Sequence, residues 1–85
     1  MNDETIHGFL VVNFYRLRNA PGRRPGRIVL VDRGHAYEHR QRFVTAWQGI
    51  NVDTRECDSE WSGGNYFNTL DAAVGDFHFR CRKGW

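Results

Sequence analysis

Residues 61–85 read W-S-G-G-N-Y-F-N-T-L-D-A-A-V-G-D-F-H-F-R-C-R-K-G-W. This stretch decides the fold. A Gly-Gly pair and the aromatic pair Tyr66-Phe67 lead into the one clean amphipathic helix of the chain. Leu70, Ala73, Val74, Phe77 and Cys81 recur at helical spacing and fall on one face. The helix opens at Asn68 or Thr69; with Asn68 as cap, Asp71 takes the third helical position. Arg80, Arg82 and Lys83 suit the negative end of the helix dipole, and Gly84 suits the stop. Gly75 would let the helix approach a sheet closely.

Upstream residues supply the sheet. Residues 8–17, G-F-L-V-V-N-F-Y-R-L, are rich in aromatic and β-branched types and read as a strand. Phe9, Val11, Asn13, Tyr15 and Leu17 alternate with Leu10, Val12, Phe14 and Arg16, so both faces are largely apolar. Residues 18–26 hold two Pro-Gly pairs and form a loop. Residues 27–33 are a second strand, with Ile28 and Leu30 on one side and Val29 and Val31 on the other. Residues 42–49 are a third. Residues 60–67 form a fourth, short strand, bulged or turned at Gly63-Gly64. Residues 34–41 and 50–59 read as polar connections, and residues 1–7 as a loose terminus.

The predicted class is α+β: one domain over residues 1–85, an antiparallel sheet of three or four strands with one C-terminal α-helix on one face. The predicted core holds Leu10, Val12, Phe14, Ile28, Leu30, Phe43, Trp47, Leu70, Val74 and Phe77. One helix covers one face only, and the first two strands are apolar on both. A homodimer that buries the second face follows, with Phe79, Val29 and Val31 as interface candidates.

Eighty-five residues bound a small core. The longest apolar run, residues 9–12, is far too short to cross a bilayer, and the polar, acidic start is not a secretory leader. Two cysteines, Cys57 and Cys81, are too few for a disulfide scaffold. A cytoplasmic protein without membrane partners is the expectation.

Charge placement says more than the net value of +2. Residues 16–27 carry Arg16, Arg18, Arg23, Arg24 and Arg27 with no acid, whereas residues 53–60 carry Asp53, Glu56, Asp58 and Glu60 against Arg55. The basic segment is the candidate contact for nucleic acid or for an acidic partner, with Tyr15 and Tyr37 as candidate stacking rings.

Other chemistry is poorly marked. His35 and His39 lie four residues apart, but their polar, Gly-containing surroundings read as a loop, and Cys57 and Cys81 lack the close pairing of zinc motifs, so no metal is expected. No nucleophile lies near the histidines in sequence, so neither catalytic residues nor a cofactor are assigned. Gly63-Gly64 before a helix lacks the Lys-Ser/Thr of a phosphate-binding loop and reads as a turn.

The segments Trp47-Gln48-Gly49, Trp61-Ser-Gly-Gly-Asn-Tyr-Phe67 and Thr69-Leu-Asp-Ala-Ala-Val-Gly-Asp-Phe-His-Phe-Arg80 resemble the C-terminal half of small bacterial proteins of unknown activity. These are carried on mobile DNA such as plasmids, phages or integron cassettes. The resemblance covers less than half the chain and brings no site with it; it implies an accessory role. The functional expectation is a small, self-associating, non-enzymatic protein that binds a macromolecular partner, with nucleic acid as the alternative partner. A small-molecule binder or an enzyme comes third.

Overall fold

The computed structural model describes residues 4–18 and 21–84. Five antiparallel strands follow one another across a single sheet: β1 (Thr5–Ile6), β2 (Phe9–Arg16), β3 (Gly26–Asp32), β4 (Phe43–Gly49) and β5 (Ser62–Phe67). The helix α1 (Leu70–Lys83) ends the chain and packs on β3, β4 and β5. The α+β class and the C-terminal helix are as predicted, but the sheet has one strand more than the sequence suggested.

The added strand is β1, in the terminus expected to be loose. Its turn is the pair His7-Gly8, both at positive φ (54° and 80°). Such a pair matches the twist of a hairpin, and Gly8 adopts it without steric cost. Ile6 is thereby buried, while residues 1–3 lie outside the described part.

The sheet curls until its ends meet. His7 and Phe9, at the β1–β2 turn, contact the ring of Trp61, which immediately precedes β5. Tyr37, from the short 3-10 turn His35–Tyr37, meets Phe9 edge-on at 5.6 Å. The Arg33 guanidinium lies over Tyr37 and Tyr66, at 4.1 and 5.1 Å from the ring centres. Beneath these rings Ile6, Val29, Val31, Val44 and Ala46 form a core of their own, with Phe9, Val11 and Trp61 packed against it. The second face is therefore closed within the chain, and the premise behind the predicted dimer does not hold.

The helix side holds the other core: Leu17, Ile28, Leu30, Phe43, Ala73 and Phe77, with Trp47, Phe67, Val74 and Cys81 beside it. Thr69 caps the helix, accepting the Ala72 N–H at its hydroxyl, and Gly84 ends it at a φ of 92°. Asn68, the other cap candidate, instead accepts the Gln41 N–H. Gly75 faces solvent rather than the sheet, with open space where a Cβ would stand.

One irregularity splits β2, where most of the remaining core errors lie. Val11 stands opposite Val31 and Asn13 opposite Leu30, so Val12 is the extra residue of a β-bulge. Before the bulge, Phe9 and Val11 face the curled side; after it, Asn13, Tyr15 and Leu17 face the helix side. The intervening Leu10, Val12 and Phe14, predicted as core, are exposed, as is Leu70 at the first turn of α1.

Candidate anion-binding groove

Because α1 sits over β3 to β5, it leaves the helix-side surface of β2 uncovered. Between them runs a groove of about 930 Å³. Asn13 and Tyr15 of β2 form one wall, His78 and Arg82 of α1 the other, and Leu17 and Phe77 the apolar floor. Arg18 and Arg23, from the β2–β3 connection, line one end. The connection is clipped to the helix terminus: Arg23 Nη1 donates to the Gly84 carbonyl at 2.9 Å. A Cβ on Gly84 would come within 3.2 Å of that same nitrogen.

Three guanidinium groups thus converge from two elements. No Asp or Glu is among the described residues that line the groove, and Arg18, Arg23 and Arg82 take part in none of the ion pairs there. In a chain of net charge +2 this is a concentration of positive potential against an aromatic, partly apolar wall. Cys81 also lines the groove as a free thiol, and burial pushes its pKa up, so it adds no negative charge.

The five arginines of the basic segment separate into different roles. Arg18 and Arg23 reach the groove. Arg24 makes a bidentate pair with Asp58, at 2.9 and 2.7 Å, tying the basic connection to the acidic one. Arg27 is only 4% exposed; Nε donates to Gln48 Oε1 at 2.8 Å, and the remaining nitrogens bind the Glu4 carboxylate. It closes the rim of the curled core and is no surface contact. Arg16 is exposed but stands opposite Arg27 in register, on the side of β2 away from the groove. Residues 19 and 20 of this connection lie outside the described residues.

The remaining candidates also separate. Val29 and Val31 are fully buried in this chain, so the interface set reduces to Phe79, which is 52% exposed beside Lys83. Tyr37 is engaged by Phe9 and Arg33, leaving Tyr15 as the ring at the groove. His35 and His39 are exposed. Cys57 is an exposed free thiol at the bridge to Ile50. Among the described residues no cluster of three His, Cys, Asp or Glu side chains is placed to hold a metal ion.

Arg82 is the groove residue that sequence reasoning missed. At the helix end it reads as a complement to the dipole. Its spacing of four from His78 was the available signal, since that pair defines a polar stripe beside the apolar one.

No family model, curated protein or solved structure matches this chain. No described helix is long and apolar enough to cross a membrane.

Proposed function

We propose that this chain is a small non-enzymatic binding protein that seats a single-stranded nucleic acid in the groove between β2 and α1. One observation carries the reading: Arg18, Arg23 and Arg82 converge on a groove that also presents Tyr15 and has no described carboxylate. Guanidinium groups take phosphate oxygens in a planar, bidentate way, and an exposed ring offers a stacking surface to any base. The groove lies along one strand and one helix, which suits a flexible single strand better than a duplex. This partner fits the accessory role implied by the resemblance to mobile-element proteins, and the site of action would be the cytoplasm.

Fluorescence anisotropy with labelled DNA and RNA decamers, measured across a salt series, tests the proposal. Arg18→Ala and Arg82→Ala should each weaken binding for all sequences alike. Each should also flatten the log–log salt slope by about 0.7, the value for one phosphate contact on a single strand. Absence of binding at low salt refutes it.

A second reading has its own observation. Leu10, Val12 and Phe14 leave an exposed apolar stretch on β2, and β1 pairs only with its first two residues. A second copy could add its own β2 there, which would restore the homodimer by a different surface. Two features blunt that edge: the bulge at Val12, and the Asn13 side chain, which accepts the Phe14 N–H at 2.8 Å. For this reason the groove leads. Light scattering after gel filtration decides the second reading; a dimer mass that Val12→Lys converts to a monomer supports it, and a monomer throughout removes it.

A further inference from the structure

Beside the groove lies a smaller pocket of about 250 Å³, lined by Arg23, Trp47, Ser62, Gly63, Arg80 and Gly84. Arg23 and Gly84 line both spaces, so the pocket adjoins the groove.

Arg80 is the unusual member. Its side chain is 11% exposed. Nη2 donates to the Gly63 carbonyl, which a φ of 63° at Gly63 accompanies. Nε lies 3.6 Å from the Asp76 carboxylate, too far for a good hydrogen bond. That same oxygen already accepts from Thr45 Oγ1 and Asn65 Nδ2. Nη1 is buried and has no hydrogen-bond partner among the described residues. A guanidinium carries five N–H donors, and leaving a charged donor buried and unused is costly. Arg23 brings a second guanidinium with one nitrogen spent on Gly84, and Ser62 brings a hydroxyl. Trp47 supplies a flat apolar wall. Two guanidinium groups therefore line the pocket, and the carboxylate beside Arg80, that of Asp76, already accepts from Thr45 and Asn65.

We propose that this pocket is a phosphate subsite that receives the terminal phosphate monoester of the strand in the groove. The strand rests on the function proposed above; the phosphate chemistry of the pocket does not. A terminal monoester carries more negative charge than an internal diester and more unesterified oxygens for Arg23, Arg80 and Ser62. It can also enter a small side pocket without the chain having to leave again.

Two measurements test this. In the first, decamers ending in a 5′-phosphate, a 3′-phosphate or hydroxyls at both ends are compared by anisotropy. One phosphorylated end should bind about tenfold tighter than the hydroxyl strand, the scale of one charge-assisted hydrogen bond. Ser62→Asp, at an exposed position, and Arg80→Lys should each remove that gain while the hydroxyl strand binds as before. If Arg80→Lys does not fold, Ser62→Asp decides alone. In the second, inorganic phosphate is titrated against chloride at equal ionic strength, and the Ser62 and Gly63 amides and the Arg80 Nε–H are followed by NMR. Saturable shifts at these groups are expected. Equal affinity for phosphorylated and hydroxyl strands overturns the end-binding role and leaves the groove standing. Phosphate shifts without strand binding support free phosphate as the ligand and overturn the groove. No shift and no end preference overturn the pocket.

Discussion

Arg27→Ala should separate structural arginines from binding ones. The wild-type guanidinium makes three contacts: Nε to Gln48 Oε1 at 2.8 Å, and Nη1 and Nη2 to Glu4. Truncation leaves Gln48 Oε1 without its donor at a residue only 2% exposed, a loss of about 1–3 kcal/mol. The Glu4 side chain is 44% exposed, so water recovers its carboxylate and that ion pair adds little. Loss of the cation over the Phe14 ring, at 4.7 Å, adds about 0.5–1 kcal/mol. The sum is about 2–4 kcal/mol, a large share of the roughly 5–15 kcal/mol of a small domain. At about 4–8 °C per kcal/mol, Tm should fall by about 8–30 °C. Circular dichroism melts give the Tm, and anisotropy well below it gives strand affinity. Arg27→Ala should melt early yet bind as wild type, whereas Arg18→Ala and Arg82→Ala should melt within a few degrees of wild type and bind weakly. An Arg27→Ala protein that keeps its Tm and loses binding would refute this division of labour.

Three further outcomes follow from local geometry. Arg42 binds Asp32 through Nε and Nη2 at 2.7 and 2.9 Å, and this hydrogen bonding holds the Asp32 carboxyl below its usual 3.8 against the opposing effect of burial. A depressed folded-state pKa gives stability that is complete above the ordinary carboxylate value and is lost as pH falls through the folded one. Asp32→Asn should therefore lower Tm at neutral pH and flatten its decline below about pH 4 in acid melts. A Cβ at Gly26 would lie 2.4 Å from the Trp47 indole, so Gly26→Ala should cost about 1–3 kcal/mol in urea unfolding by forcing that ring aside. Thr69→Ala removes the acceptor for the Ala72 N–H and should cost about 1 kcal/mol in the same assay.

The helix and four of the strands were legible because their patterns are local. Leu70 to Cys81 carries its periodicity in sequence, and Ile28 to Val31 is apolar at every position, which marks a strand buried on both faces. Gly63-Gly64 announced its irregularity: β5 steps out of register with β4 between Thr45 and Trp47. What escaped depends on distant partners. Nothing near Arg27 signals burial, since Glu4 and Gln48 lie 23 and 21 residues away. β1 has only two residues, and its His-Gly turn lacks the Asn-Gly signature. The bulge escaped because Phe9 to Leu17 is apolar enough on both sides to read as unbroken alternation. The groove combines ends of β2 and α1 that meet only once the sheet is assembled.

The extra residue at Val12 also fixes how β2 can change over generations. A regular strand has a single phase: shifting its count by one moves every side chain to the wrong layer. Here the first half of β2 is phased to the aromatic lid and the second half to the helix, with Val12 as the joint. Loss of that one codon would make Val11 and Asn13 consecutive, still opposite Val31 and Leu30, so Phe9 and Val11 would keep the curled side and Tyr15 and Leu17 the wall they share with α1. The joint is thus a place where β2 can lose a residue without changing the faces its side chains serve, and the side chain there is itself free to vary in size and polarity.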